Sequence, residues 1–174
     1  MKRPTTAPVK NRMRNEQQQW EAISSSCICS ALRKASRRIS HLYDAMLADT
    51  GLRASQWNLL VQLACSGPTS IRDLAALLVV DASTLSRNLA PLRRDGLVRV
   101  DVTAQDARAR IACLTTEGRA RIEQARKGWL RAQSEMQKGL GAGHLKQLRE
   151  SLEIVWSMPG TQGDDRGRKT FPGE

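Results

Sequence analysis

The stretch from Ser70 to Leu114 constrains the fold more than any other part of the chain, because start and stop signals for several short elements follow one another there. Ser70 followed by Asp73 is typical of a capped helix start, and Leu74 then begins an apolar repeat at helical spacing. Asp81 marks a second start, since an Asp side chain accepts hydrogen bonds from the free N–H groups of a first helical turn. The pattern predicts two short helices joined by a tight turn.

The second of these helices is amphipathic and is expected to end at Gly96, since glycine commonly follows a helix C-terminus. Its apolar stripe comprises Leu85, Leu89 and Leu92. The opposite face carries short side chains, most of them polar, and one long cation, with no acid: Ala82, Ser83, Thr84, Ser86, Arg87 and Asn88. Such a face suits the major groove of DNA, where base edges and phosphates are recognised by hydrogen bonds.

A β-hairpin is expected after this helix. Residues 97–102 alternate at strand period, residues 103–107 form a polar turn, and residues 108–114 return as a second strand with Ile111 and Cys113 on one face. Two short helices followed by a basic hairpin predict a winged helix-turn-helix. The same pattern also occurs in domains that never bind nucleic acid.

The composition favours a helical protein with a polyanionic partner. Aromatic residues make up only 3% of the chain, so the core must consist of Leu, Val, Ile and Ala. The formal net charge of +11 favours DNA, RNA or an acidic membrane surface as a partner. No apolar run is long enough to span a bilayer, and the basic N-terminus lacks the apolar segment of a secretory signal. Four cysteines without framework spacing indicate a reducing compartment, so we expect a cytoplasmic protein.

Long helices are expected on both sides of the helix-turn-helix. Residues 1–18 are interpreted as a disordered basic arm, and residues 20–49 as one long helix with a nearly unbroken apolar stripe. Ser55 is expected to cap the helix that follows. A helix as long as that over residues 20–49 needs a partner along its whole length, and a second copy of the chain is the simplest one.

The C-terminal third is expected to be helical as well. Thr116 or a neighbour starts a long helix that reaches about Gly139, and residues 141–143 break it. A last helix then extends from about His144 to Ser157, and residues 158–174 are expected to be a disordered tail.

Five motifs taken together carry a family resemblance: Leu52–Trp57, Asp81–Leu89, Leu92–Val98, Asp106–Arg108 and Leu114–Gly118. In this order they resemble the MarR family of bacterial transcription regulators, over about residues 25–156. The resemblance implies a mainly α fold with a small β-hairpin wing, in a single domain over residues 19–157. Residues 19–50 and 115–157 would be the dimerisation helices, and residues 51–114 the winged helix-turn-helix.

The resemblance also implies how DNA is bound. The helix that begins at Asp81 would enter the major groove, and Arg108 at the tip of the wing would reach the minor groove. Asp106 is able to hold the Arg108 guanidinium by a bidentate pair, although Ala107 stands where the family often has a second arginine. The candidate DNA-contact residues are Ser70, Asp81, Ala82, Ser83, Thr84, Ser86, Arg87, Asn88, Arg93, Asp106, Arg108 and Arg110.

Two kinds of signal are compatible with the sequence. Cys29 and Tyr43 stand where the organic-hydroperoxide-sensing members of the family have a reactive cysteine and a tyrosine of the partner subunit; a second tyrosine of that pattern is replaced by Ala54. Cys27 and Cys29 point about 200° apart in an unbroken helix and could not pair there. The alternative signal is a small phenolic or aromatic effector, in a pocket formed by Leu42, Met46, Trp57 and Leu60.

An enzyme is not expected, since the sequence has no phosphate loop, nucleophile elbow or metal-ligand cluster, and we expect no cofactor or metal. The sequence thus predicts a homodimeric, sequence-specific DNA-binding transcription regulator that represses its targets. It would be released from a near-palindromic DNA site by a ligand or by cysteine oxidation. The alternative is an architectural or protein-interaction winged-helix protein without a specific DNA site.

Overall fold

The computed structural model describes residues 7–102 and 110–158. These residues fall into two compact units that divide between His41 and Leu42. The elements in chain order are helices α1 (Ala7–Ser26), α2 (Ile28–Leu47) and α3 (Ala54–Ser66), strand β1 (Thr69–Ser70), helices α4 (Ile71–Leu78) and α5 (Ala82–Arg94), strands β2 (Val98–Val102) and β3 (Arg110–Leu114), and helix α6 (Thr116–Ser157). A short 3₁₀ helix, Ala48–Thr50, follows α2.

The first unit corrects two expectations. The predicted disordered arm is helical from Ala7 onward, because its Gln, Glu, Arg and Met residues favour helices and side chains four residues apart support one another. The Arg12 Nε donates to Glu16 Oε1 at 3.2 Å, for example. The predicted helix over residues 20–49 is also not continuous, since α1 ends at Ser26 and α2 begins at Ile28.

The break between α1 and α2 falls after two serines. Both hydroxyls, of Ser25 and Ser26, donate back to the Ala22 carbonyl oxygen, at 3.0 and 2.9 Å. Such side-chain bonds compete with the backbone ladder and weaken a helix locally. The Cys27 carbonyl then accepts from the Ala31 N–H at 3.0 Å, so the ladder of α2 starts there. Cys27 itself lies outside both helices.

The core of the second unit is built almost entirely from leucine, as the scarcity of aromatic residues predicts. The predicted stripe of α5 is confirmed: Leu85, Leu89 and Leu92 are all buried. The same cluster includes leucines from α3 and α4, Leu97 just before β2, Val98 of β2, and one alanine each from β3 and α6. Helix α5 is therefore held to α3, α4 and the sheet through one apolar face, and its opposite face is exposed.

The sheet has three strands, in the order β1-β3-β2, all antiparallel. The predicted pairing of the two hairpin strands is confirmed, with Val98 opposite Leu114 and Val102 opposite Arg110. The predicted turn over residues 103–107 lies outside the described residues. The two-residue strand β1 was not predicted, because alternation cannot show over two residues. Ala112 is the fully buried residue of β3. Ile111 and Cys113, which were predicted to share one face of this strand, alternate with Ala112 and are both half-buried.

Helix α6 packs closely against the rest of the second unit and then bends. The predicted break is confirmed at Gly141, where φ is 76° and ψ is 155°. On the N-terminal side of the bend, Gly118 lies against the Leu97 carbonyl and Gly128 against the Met46 carbonyl, so closely that a Cβ would collide with both. The fold class predicted from the sequence, a winged helix-turn-helix flanked by long helices, is confirmed.

Candidate nucleic-acid interface

The first helix of the helix-turn-helix begins with the predicted cap. Ser70 Oγ accepts from the Asp73 backbone N–H at 3.0 Å and donates to Asp73 Oδ2 at 2.7 Å. Ser70 also belongs to β1 and pairs with Ile111, so one residue joins the sheet to the start of α4. The hydroxyl of this predicted DNA-contact residue is thus already engaged within the chain.

The second helix begins at a denser cap centred on Asp81. Asp81 Oδ1 accepts from the Thr84 N–H at 2.7 Å and from the Ser83 hydroxyl at 2.5 Å, and Oδ2 accepts from the Thr84 hydroxyl at 2.9 Å. The bond from the Ser83 hydroxyl, followed by the two from Thr84, holds the pKa of the Asp81 carboxyl well below its ordinary value. The acid at the start of α5 therefore stays ionised and is satisfied by the helix itself.

This low pKa gives a pH dependence with a definite sign. A carboxyl whose pKa is lower in the folded than in the unfolded chain stabilises the fold above the unfolded pKa, of about 3.9 for Asp, and loses that effect as the pH falls through the folded pKa. We expect Asp81→Ala to lower the thermal midpoint by a constant amount near neutral pH, and by less below about pH 4. Circular dichroism melts of both proteins between neutral pH and pH 3 measure this; a gap that widens on acidification would contradict it.

The cap continues into the exposed face of α5. Arg87 Nη2 donates to Thr84 Oγ1 at 3.1 Å, and Thr84 is held in turn by Asp81. Side chains three residues apart lie on one helix face, so the three residues form a chain of hydrogen bonds along the first two turns. Ser83 and Ser86 are exposed beside it. A guanidinium held in this way has lost part of its rotamer freedom before any ligand is bound.

Asn88 joins α5 to α3. It is half-buried, and its Oδ1 accepts from the Ser55 hydroxyl at 3.4 Å. The expectation that Ser55 caps α3 was therefore wrong. Helix α3 is capped from α2, since Asp44 Oδ1 accepts from the Ala54 N–H at 2.7 Å. No local sequence signal indicates this bond, because its partners are ten residues apart.

The remaining predicted DNA-contact residues differ in what the structure shows of them. Arg93, near the end of α5, and Arg110, at the start of β3, are both exposed. Asp106 and Arg108 lie outside the described residues. Two neighbouring cations are paired with acids: Arg94 Nε lies 3.1 Å from Asp95 Oδ1, and Arg99 Nε lies 2.7 Å from Asp101 Oδ2. These pairs reduce the positive charge beside the hairpin, and Arg87 supplies the positive charge of the N-terminal half of α5.

The sequence patterns did not single out Val79, which has an unusual backbone conformation. Val79, in the turn between α4 and α5, has φ 51° and ψ 48° and a side chain that is 65% exposed. A β-branched residue rarely adopts this left-handed conformation, which glycine or asparagine reach more easily. Sequence patterns place a turn here without showing its backbone angles.

The predicted sensing residues have different surroundings. Cys29 is exposed on α2 in the first unit, whereas Tyr43 belongs to the second. Burial raises the pKa of the Tyr43 phenol, and the positive charge of Arg149 opposes that shift. Leu60, predicted to line a pocket, is fully buried in the core. Trp57 stacks on Trp129, with ring centroids 6.5 Å apart and planes at 26°.

Two other predicted pocket residues, Leu42 and Met46, are half-buried at the C-terminal end of α2. The Met46 carbonyl accepts from Arg131 Nη2 at 3.1 Å.

Within residues 7–102 and 110–158, no helix is long and apolar enough to cross a membrane.

Comparisons with known proteins agree with this geometry. A family model described as MarR family matches residues 50–109. The chain is 27% identical over 105 residues to the uncharacterized HTH-type transcriptional regulator YwoH of Bacillus subtilis. The matched region covers 60% of this chain and 76% of that protein. It resembles the crystal structure of the M. tuberculosis transcriptional regulator MosR in complex with DNA, with 34% identity, a TM-score of 0.67 and coverage of 75% and 93% of the two chains. A mutant of MarR from E. coli complexed with operator DNA has the same fold, with 24% identity, a TM-score of 0.69 and coverage of 76% and 96%.

Proposed function

Since this chain belongs to the MarR family of DNA-binding transcription regulators, we propose that it acts as a homodimer that represses transcription from a near-palindromic DNA site. The observation that supports sequence-specific binding is the exposed face of α5. Its polar side chains surround Arg87, which donates one hydrogen bond to Thr84, and Thr84 donates in turn to Asp81. A fixed arginine on an exposed helix face matches the bidentate recognition of guanine in the major groove.

The apolar surfaces of the terminal helices support the homodimer. In the first unit Trp20 and Ile28 are 64% and 69% exposed. In the second unit Ile154 and Val155, near the end of α6, are 66% and 47% exposed. Large apolar side chains clustered on exposed helices are typical of protein–protein interfaces. Two copies held in this way would present two α5 helices to successive major-groove faces about 10 base pairs apart.

A titration against DNA tests this function. We expect the purified chain to be dimeric in sedimentation experiments and to bind a duplex from the region upstream of its own reading frame about a thousandfold more tightly than a random duplex at the same salt concentration. An architectural winged-helix protein would bind both duplexes equally. A monomer, or a footprint that covers a single half-site, would contradict the dimeric arrangement.

For the signal, we propose release from DNA either by a small aromatic effector or by oxidation of Cys29. In the oxidative case a hydroperoxide would convert the Cys29 thiol to a sulfenic acid and leave as the alcohol. The helix break at Cys27 affects whether Cys27 and Cys29 are able to form a disulfide. The angular argument against a Cys27–Cys29 pair holds only for an unbroken helix, and Cys27 lies outside both helices. Condensation of the sulfenic acid with the Cys27 thiol would give a disulfide and water.

Peroxide is then expected to release the wild-type chain from its duplex and to leave Cys29→Ser bound. Gel-shift assays with and without peroxide and reductant measure this, and intact-mass spectra identify the oxidised form. Cys65→Ser is the matched control, because Cys65 is also exposed but lies on α3. If Cys29→Ser were released as readily as the wild type, oxidation of Cys29 would be excluded as the signal.

A further inference from the structure

One side of α2 carries four exposed cations that the proposed function does not use. They are Arg33, Lys34, Arg37 and Arg38, all in the first unit, and we call them the α2 basic face. Residues four apart are neighbours on a helix surface, so Arg33 and Arg37 form one row and Lys34 and Arg38 form a second row beside it. Arg37 Nε donates to the Arg33 carbonyl oxygen at 3.3 Å, so its side chain lies along the helix. The four side chains present a single strip of positive charge.

No acid compensates the charge of the α2 basic face. From Ala22 to Tyr43 the sequence contains neither Asp nor Glu. In the part of the chain that the structure describes, none of the four cations forms an ion pair, whereas Arg12 of α1 pairs with Glu16 at 3.2 Å. Like charges four residues apart destabilise a helix. The cluster therefore costs stability unless an anion binds to it.

The positive charge of the chain is concentrated in the same region. Residues 1–41 carry nine cations and two acids, whereas residues 51–114, the winged helix-turn-helix, carry eight cations and five acids. Attraction to a nucleic acid depends on how many cations contact its phosphates, whatever the sequence. The first unit therefore has the larger excess of cations available for such contacts.

The α2 basic face is separate from the apolar side of the same helix. Ile28, Leu32 and Ile39 share that side, and the centres of the two sets are about 170° apart on a helix with about 3.6 residues per turn. Ile28 and Leu32 are 69% and 37% exposed, and Ile28 belongs to the surface that the proposed dimer covers. A partner subunit on the apolar side would leave the four cations in solvent.

We propose that the α2 basic face binds the phosphate backbone of the duplex DNA that flanks the specific site. Three of the four cations are arginines, whose planar fork matches two phosphate oxygens. Once α5 holds the specific site, the flanks of the same duplex are present at a high effective concentration. Such contacts carry no sequence information, so they would lengthen the bound region and strengthen binding without changing the preferred sequence.

An acidic membrane fits the same helix less well. A basic amphipathic helix binds a membrane by burying its apolar side among the lipid headgroups, commonly with Trp, Phe or Leu. Helix α2 contains neither Trp nor Phe, and the proposed dimer covers its apolar side. Phosphates that reach only the polar side of α2 are those of a nucleic acid.

Titrations of the full chain at several salt concentrations, with two specific duplexes, test the proposal. The short duplex is the smallest fragment that still binds specifically, and the long one extends it by about two helical turns, roughly 20 base pairs, at each end. For the wild type we expect the slope of log affinity against log salt to be steeper on the long duplex by about two or more, because each phosphate contact adds about 0.9. Equal slopes on the two duplexes would overturn the proposal.

The quadruple variant Arg33→Gln/Lys34→Gln/Arg37→Gln/Arg38→Gln should lose most of this difference and keep the wild-type slope on the short duplex. Glutamine is as good a helix former as the residues it replaces, and circular dichroism checks that the helix content is retained. The matched control removes the same formal charge from four exposed positions of α6, in Arg126→Gln/Lys127→Gln/Lys138→Gln/Lys146→Gln. The control should keep the difference between the two slopes. Equal losses in both variants would show a general charge effect and overturn the proposal.

Three results would assign the α2 basic face to another occupant and also overturn the proposal. Weaker dimerisation of the α2 variant in sedimentation experiments would place a partner subunit on the face. Binding of a second duplex by each wild-type dimer would replace the flanks by another DNA molecule. Pelleting with phosphatidylserine vesicles that the α2 variant loses, while its DNA slopes match those of the wild type, would identify a membrane.

This proposal rests on the specific site of the proposed function, and a long random duplex separates the two. The slope on the random duplex should also fall in the α2 variant, because backbone contacts need no specific sequence. If the wild type did not prefer the specific duplex but this fall remained, the proposed function alone would be overturned. If the preference were intact and the α2 variant had wild-type slopes on every duplex, the flank contact alone would be overturned.

Discussion

Gly118→Ala is expected to destabilise the chain by about 2 kcal/mol, the cost typical of forcing a methyl group into a closely packed site. A Cβ at Gly118 would lie 2.2 Å from the Leu97 carbonyl oxygen and 2.6 Å from Leu114 Cδ1. The first of these is backbone at the start of the hairpin, so relief requires α6 to move away from the sheet. The gain in helix propensity on replacing glycine by alanine, about 1 kcal/mol, offsets only part of the cost.

Thermal melts at equal protein concentration measure this effect, and a loss of about 2 kcal/mol corresponds to roughly 4–8 °C for a chain of this size. Gly128→Ala should behave in the same way, since its Cβ would lie 2.3 Å from the Met46 carbonyl oxygen. Gly139→Ala is the matched control on the same helix, because nothing lies within 4 Å of its Cβ position. It should leave the midpoint unchanged or raise it slightly. A Gly118→Ala protein as stable as Gly139→Ala would show that α6 is not held so closely against the hairpin.

The parts of the fold that the sequence predicts correctly depend on partners close together in the chain. Ser70 and Asp81 are confirmed as caps because each bonds an N–H three residues on, and Gly141 is confirmed as a break because its own φ is positive. Leu85 and its two repeats follow from helical spacing alone. Such short-range signals are complete within one helical turn and need no knowledge of packing.

The parts that the sequence does not predict depend on contacts between distant residues. The Asp44 cap of α3 joins residues ten apart, and the close approach of Gly118 to Leu97 becomes visible only when α6 is packed on the sheet. Strand β1 exists because β3 provides a partner for two residues that have no strand pattern of their own. The break at Cys27 has no local stop signal, because neither proline nor glycine stands near it in the sequence.

In the candidate site, too, residue positions follow from short-range spacing, whereas side-chain contacts do not. Helical spacing places Ser83, Ser86 and Arg87 together on the exposed face of α5, and the structure brings them there. The hydrogen bond from Arg87 to Thr84 is not predictable from spacing, because an arginine three residues on from a threonine has many rotamers to choose from. That bond restricts the orientation of a guanidinium that would otherwise be free in solvent.

Arg87→Ala is expected to weaken binding to the specific duplex by about 10- to 100-fold, the discrimination typical of one bidentate contact with guanine. Binding to a random duplex should fall much less, because that binding depends on the total number of phosphate contacts. The specificity ratio should therefore collapse. Thr84→Val keeps the shape of the side chain while removing the hydroxyl that holds Arg87, so it should cause a smaller loss of the same kind.

Arg94→Ala is the matched control for Arg87→Ala, since it removes an equal charge from the end of α5, where the guanidinium pairs with Asp95 at 3.1 Å. It should weaken binding to both duplexes alike and leave the specificity ratio unchanged. Titrations of each variant against specific and random duplexes at several salt concentrations separate these effects. If Arg87→Ala instead reduced both affinities equally and lowered the salt slope by about one, Arg87 would contact a phosphate and the specificity would have to come from another part of the chain.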